Sequence, residues 1–289
     1  MEKRNFRELL EARWASGRSV CVGLDSEPAK IPESARRDGG IANTIVAFNH
    51  AIVEATCDSA CAFKPNIAFY AALGTEGLTA LHRTIVDIHI IAPGVPVIVD
   101  AKRGDIGNTN LGYVEEAFGF LQVDAITVSP YLGREALRPF LDRGDKGIIV
   151  LCRTSNPGAG EFQDLLVPVA GTAHRVPLYQ YVAHRVATEW NQSGNCALVV
   201  GATCPRELGM VRRIVGDMPI LIPGIGAQGG DVEATVKAGM DSRGEGMIIN
   251  SSRGIIFASK DADFAEAAAR EAKKLNDLIN QHRSAREVA

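Results

Sequence analysis

No apolar run in the 289-residue chain approaches the length needed to cross a membrane, which excludes a transmembrane helix as an organising element. A strong charge of one sign is also missing: 31 Lys and Arg stand against 34 Asp and Glu, for a formal net charge of -3. No long-range field therefore recruits nucleic acid or an anionic membrane surface, and any anionic ligand has to be gripped locally. The six cysteines (Cys21, Cys57, Cys61, Cys152, Cys196 and Cys204) include no CxxC pair, and no histidines accompany them at ligand spacing, which argues against zinc. Reduced, mostly buried thiols in a cytoplasmic protein are the expectation. Internal repeats and low-complexity tracts are absent. The opening segment, MEKRNFRELLEARWASGR, is charged and helical in pattern, unlike a secretory leader.

What the chain does have is a recurring alternation. Eight short apolar runs, starting at VCVGLD (20 to 25), ACAFKPN (60 to 66), VPVIVDAK (95 to 102) and DAITVSP (124 to 130), are separated by helix-like segments. The series continues with GIIVLCRTS (147 to 155), CALVVGAT (196 to 203), MPILIPGIG (218 to 226) and GMIINSSR (246 to 253). Intervening stretches such as IANTIVAFNHAIVEAT, LTALHRTIVDIHIIA, VPLYQYVAHRVATEW and DVEATVKAGM have amphipathic patterns. The number and size of these units predict an α/β fold, a (β/α)8 TIM barrel of parallel strands forming a single domain over 1–289, with a doubly wound sheet as the alternative topology. In either arrangement, polar residues, glycine or proline at the carboxyl ends of the strands gather at one mouth.

The third run carries the densest chemistry. In VIVDAKRGDIGNTN (97 to 110), β-branched residues read as a strand buried on both faces, and charge then appears abruptly as Asp100, Lys102, Arg103 and Asp105. If extended backbone persists, Asp100 and Lys102 point to the same side, and Gly104 lets the chain turn and re-aim Asp105. Ions placed there lose hydration and must be compensated by one another. A salt-bridged strand end and a catalytic cluster both fit this segment alone.

A second kind of chemistry sits near the carboxyl terminus. PGIGAQGGD (223 to 231) runs from an apolar strand into a helix start at Gly230-Asp231, a plausible backbone cradle for an anion, with Gln228 as an added neutral donor. NSSRGI (250 to 255) adds Arg253, whose planar fork suits a phosphate. Barrels frequently bind phosphate with the loops after their seventh and eighth strands. After the fifth run, RTSNPGAGEFQDL is rich in turn formers and reads as a loop at the mouth, either a lid or an irregular surface loop. SEPAKIPESARRDGG (26 to 40) is a second loop-like excursion. The histidines His50, His82, His89, His174 and His184 read as structural or surface groups, and Trp14 and Trp190 as packing residues.

Together GLD (23 to 25), FKPN (63 to 66), DAKRGDI (100 to 106), SNPG (155 to 158), PGIGAQGGD and NSSRGI strongly resemble the orotidine 5'-monophosphate decarboxylase family, in particular its longer bacterial subgroup. The resemblance implies a homodimeric barrel with active sites shared across the interface and no metal or organic cofactor. It also implies that Lys64, Asp100, Lys102 and Asp105 form a charged catalytic tetrad, with Asp105 supplied by the partner subunit. By the same resemblance Asp25 contacts a ribose hydroxyl, Ser155 the pyrimidine, and Gln228 with Arg253 the phosphate, while Thr109 reaches across the interface. Arg103 is expected to be a solvated or interface residue. The long inserts after the first and fifth strands depart from the shorter members, so Ser155 and loop residues such as Gln163 are the weakest carry-overs. Two other classes compete. A related phosphate-sugar enzyme would stabilise an enediolate with Mg2+, but needs an acidic ligand where Lys64 stands. A non-catalytic nucleotide-binding barrel would give no reason for the charges at 100, 102 and 105.

Overall fold

The computed structural model describes residues 4–169, 171, 173–226 and 230–284. Each apolar run becomes a parallel strand: β1 (Val20–Gly23), β2 (Ala60–Lys64), β3 (Ile98–Arg103), β4 (Ala125–Val128) and β5 (Gly147–Arg153). After a short exposed ribbon, β6 (Leu166–Pro168) and β7 (Arg175–Pro177), the series resumes with β8 (Cys196–Val200), β9 (Ile220–Pro223) and β10 (Met247–Ser251). The hydrogen-bonded order is β2-β1-β10-β9-β8-β5-β4-β3. Its two ends meet: Phe63 N donates to Pro96 O at 3.0 Å and Asp100 N to Pro65 O at 2.9 Å. This closure decides for the (β/α)8 barrel over the doubly wound sheet.

The period-two alternation of strand side chains sorts the core into two compartments. Inside the barrel every strand contributes at least one small or branched residue: Cys21, Cys61 with Ala62, Ile98, Ala125, Ile149, Ala197 with Val199, Leu221 and Ile248. Phe6, Leu10 and Trp14 pack onto this cluster from the helix Phe6–Ala15, so the opening segment is a plug across the amino-terminal end of the barrel. Asn5 caps that helix through its side chain, and the Trp14 indole N–H donates to Met247 O at 2.8 Å. Arg4 adds a clamp at the same end, pairing with the fully buried Asp124 at 2.8 Å. Alternate strand residues such as Val22, Phe63, Val97 and Ile249 face outward and pack against the surrounding helices, among them Ile41–Thr56, Gly74–Ile91 and Phe264–Ser284. Full burial of side chains of this size contributes roughly 1.5–3 kcal/mol each.

The excursions keep the same logic. The 26 to 40 stretch forms two short 3-10 turns, Pro28–Lys30 and Glu33–Ala35, anchored by buried Ile31 and Ala35. The expected loop after β5 contains a 3-10 turn, Pro157–Ala159, a single helical turn, Gly160–Gln163, and the β6–β7 ribbon, which the sequence pattern did not announce. Among the described residues no helix is long and apolar enough to cross a membrane. All six cysteines are free, and burial pushes the Cys21, Cys152 and Cys196 thiols up to about 12, which makes them packing groups rather than nucleophiles.

Candidate active site

A cavity of about 510 Å3 opens at the carboxyl ends of the strands. Its floor and walls include Asp25 after β1, Lys64 ending β2, Asp100 and Lys102 on β3, Ser155 after β5, and Arg253 after β10. Six of the nine sequence-predicted site residues are thereby brought together by the barrel alone.

The charged floor is built on an irregularity of β3. Ile98 and Val99 pair with Ala125 and Ile126, but the next pairing is Arg103 with Val128, so Asp100, Ala101 and Lys102 stand against Thr127 alone. Within this bulge Lys102 has a φ of +49°, a left-handed conformation that costs a side-chain-bearing residue roughly 1–2 kcal/mol. Asp100 and Lys102 do converge as alternation predicts, with Lys102 Nζ 2.6 Å from Asp100 Oδ1, but through this turned backbone rather than a regular strand. Gly104 does not make the turn: its φ is not positive, and it is small because a Cβ there would lie 3.1 Å from the Ser129 side chain and carbonyl.

Asp100 is the hub. Its other oxygen accepts from Lys64 Nζ at 3.1 Å, and Thr127 Oγ1 donates to Oδ1 at 2.9 Å. Burial works against its charge, yet Lys64, Lys102 and the Thr127 hydroxyl together hold its carboxyl well below the usual carboxylate range. Lys64 is 3% exposed; burial disfavours its ammonium, but Asp100 and then Asp25 outweigh that cost and raise its pKa above an ordinary lysine. Asp25 Oδ1 is buried and has no hydrogen-bond partner among the described residues, leaving an acceptor for a donor from outside the chain. Lys102, by contrast, leaves 49% of its side chain exposed at the mouth. The pattern is a fixed anion with one buried and one projecting cation, able to stabilise charge that develops above Lys102.

Asp105 and Thr109 do not line this cavity. Asp105 has no ion pair among the described residues; Asn110, which is fully buried, fixes the turn around it by accepting from Asp105 N at 3.1 Å and donating to Asp105 O at 2.6 Å. Thr109 lies exposed on the helix Gly107–Val114, between the exposed apolar side chains Ile106 and Leu111. Arg103 turns away from the mouth into a bidentate pair with Glu116 at 2.8 Å and stacks on Tyr113, in keeping with a non-catalytic role.

On the opposite wall Pro223, Gly224, Ile225, Ser252, Arg253 and Gly254 surround one end of the cavity. Arg253 is exposed and has no ion pair among the described residues. Gln228 lies outside the described residues. Asp231 caps its own helix by accepting from Ala234 N at 3.2 Å, and residues 227–229 of the anion cradle expected over PGIGAQGGD lie outside the described residues. Near β5, Gly201 permits the close approach of Ser155, since a Cβ there would fall 2.7 Å from the serine Cβ. Gln163 lines the cavity and holds the loop by accepting from Thr154 N at 2.8 Å, while Arg153 and Asp164 add a bidentate pair at 3.0 Å.

The residues that sequence reasoning missed are Thr127 and Asn110, the polar supports under Lys102 and Asp105. None of the histidines lines the cavity. His50 pairs with Asp87 at 3.3 Å and His82 stacks on Phe120, as structural and surface groups do. Trp14 and Trp190 are buried, as packing residues are.

Comparison with known proteins places this geometry. Residues 18–269 match the family model described as orotidine 5'-phosphate decarboxylase / HUMPS family. Over 280 residues the chain is 54% identical to the orotidine 5'-phosphate decarboxylase of Ralstonia pickettii, covering 96% of this chain and 99% of the relative. It is 50% identical to that of Aromatoleum aromaticum, covering 96% of this chain and all of the relative (100%). Among solved structures, Leishmania donovani OMP decarboxylase superposes with a TM-score of 0.79 at 38% identity, covering 96% of this chain and 99% of that one. A closed parallel barrel, a Lys-Asp-Lys floor and this depth of similarity lead to one conclusion: the chain belongs to the orotidine 5'-phosphate decarboxylase / HUMPS family.

Proposed function

We propose that the chain decarboxylates orotidine 5'-monophosphate to uridine 5'-monophosphate and CO2 in pyrimidine biosynthesis, as a cytoplasmic homodimer with shared active sites and no metal or organic cofactor. The observation that carries this reading is the floor itself: Lys64, Asp100 and Lys102 linked at 3.1 and 2.6 Å beneath a polar mouth. Decarboxylation at C6 breaks a C–C bond and leaves its electron pair on a vinyl carbon with no adjacent electron sink. The barrier reduction required falls in the ~8–23 kcal/mol range that enzymes supply. Lys102, its ammonium held beside Asp100, stabilises that pair as it develops and then transfers its proton to C6, so the product is uridylate and the lysine regains a proton from solvent. Asp105 of the partner subunit completes the anionic side of the site, and Thr109 follows it across the interface.

Asp25, whose buried Oδ1 lacks a donor, accepts from a ribose hydroxyl. Ser155 meets the pyrimidine, and Arg253 with Gln228 grips the phosphate, far from C6, where binding energy can be used to assemble the site around the transition state. Lys64 disfavours the competing Mg2+-enediolate chemistry: a buried ammonium at the end of β2 repels a divalent ion where an acidic ligand would be required. The test is conversion of orotidylate to uridylate by EDTA-treated protein. Full turnover without added metal is expected; activity that appears only when Mg2+ is restored, or none on orotidylate, would overturn the proposal.

A further inference from the structure

We propose that Thr127 is a positioning residue for the decarboxylation, its buried hydroxyl locking the β3 bulge that brings Lys102 and Asp100 to one point; this rests on the function proposed above. The reasoning begins with the ladder. Three residues of β3 stand against one of β4, so the backbone N–H groups in between lose their regular strand acceptors. Asp100 N is satisfied from the other side by Pro65 O at 2.9 Å. Ala101 N and Lys102 N remain, and both donate to Thr127 Oγ1, at 3.0 and 2.9 Å. The single proton of that hydroxyl goes to Asp100 Oδ1 at 2.9 Å.

A hydroxyl has one donor and two acceptor positions, and here all three are committed. Thr127 is 1% exposed and sits in the floor of the cavity, beneath the charged groups it supports. One oxygen atom therefore ties together the carboxylate, the amide of the reacting lysine and the amide between them. The tie also accounts for Lys102 keeping a left-handed φ without being glycine. Were the bulge to relax toward a regular ladder, Lys102 would stay on the same side as Asp100 but a two-residue rise of about 6.6 Å farther along the strand, too far to meet it as closely. The neighbouring β4 residues Ile126 and Val128 are apolar, and packing alone would accept valine at position 127 equally well. Only the polar role requires threonine or serine.

The experiment compares Thr127→Val, which keeps the shape and removes the hydroxyl, with Thr127→Ser, which keeps the hydroxyl, in the full-length protein. Thr127→Val is expected to lower kcat on the order of 10²-fold, the scale of an ångström misplacement of a reacting group. KM and uridylate affinity should stay within about threefold, because ribose and phosphate are held elsewhere, and Thr127→Ser should keep kcat within about threefold. Amide hydrogen exchange should show protection lost at Ala101 and Lys102 in Thr127→Val and retained along the rest of β4. Wild-type kcat in Thr127→Val overturns the proposal, as does a Thr127→Ser protein that falls as far as valine, or uridylate binding that falls in step with kcat. If the valine variant does not fold, Thr127→Cys, a far weaker hydrogen-bonding group, takes its place under the same criteria. Failure of the wild-type protein on orotidylate would refute the function alone; the exchange at Ala101 and Lys102 then decides the Thr127 lock by itself.

Discussion

Lys102→Ala and Asp105→Ala proteins, each inactive alone, are expected to regain about a quarter of wild-type turnover when mixed in equal amounts under conditions of subunit exchange. The figure follows from where the side chains sit. Lys64, Asp100 and Lys102 line one chain's own cavity, whereas Asp105, three residues beyond Lys102, does not, and the buried Asn110 holds its turn in place. If Asp105 serves the partner's cavity, a mixed dimer has one site carrying both lesions and one carrying neither. Random exchange makes about half the dimers mixed, each with one intact site of two, hence about a quarter of full activity. The same arithmetic supplies the control: Lys102→Ala mixed with Lys64→Ala leaves one lesion in every mixed-dimer site and should recover nothing. Uridylate formation is the readout, with mixed-dimer formation verified by differently tagged subunits. Each single variant should still bind uridylate through the phosphate wall, so lost turnover is not mistaken for unfolding. A Lys102→Ala and Asp105→Ala mixture as silent as the control, with mixed dimers demonstrated, would refute the shared site.

Two further outcomes test other parts of the molecule. Arg253→Ala should lose roughly 2–4 kcal/mol in kcat/KM for orotidylate, the scale of a charge-assisted bidentate contact and the ordering it drives, while thermal unfolding is unchanged; wild-type kinetics would place the anion site elsewhere. At the other end of the barrel, Asp124 is buried, which disfavours its charge, but Arg4 and His89 outweigh burial and hold its carboxyl at about 2. A folded value below the unfolded one of 3.8 means that this contribution is present above about pH 4 and is lost as pH falls toward 2. It amounts to about 2 kcal/mol, so denaturant unfolding of Asp124→Asn should show less acid sensitivity across that window than the wild type. Equal slopes would refute the assignment.

The eight barrel strands were legible because parallel strands buried on both faces must be apolar throughout, and their polar tails marked the mouth. Asp100, Lys102 and Arg253 were legible for the same reason, since charge at the end of a buried run has to be doing something local, whereas the role of Lys64 came from the family resemblance. The β6–β7 ribbon was not, since Leu166 to Pro168 and Arg175 to Pro177 are short, largely exposed and interrupted by proline, with no buried face to impose a pattern. Gly104 suggested a turn after the strand, but the left-handed residue is Lys102, on which tertiary hydrogen bonds impose that conformation and whose residue type gives no local hint. Thr127 was hidden because threonine is an ordinary strand residue, and its hydroxyl acquires meaning only once β3 bulges beside it. The opening helix was visible by its pattern, but its role as a plug depends on all eight strands being in place.

That dependence shapes how the protein can be made. On the ribosome, Phe6, Leu10 and Trp14 emerge before any of the strands they pack against, and the Trp14 indole binds the carbonyl of Met247, 233 residues later in the chain. Until the last strand is synthesised this apolar helix face has no permanent home, a nonlocal arrangement of the kind that slows folding and leaves nascent chains in need of chaperone protection.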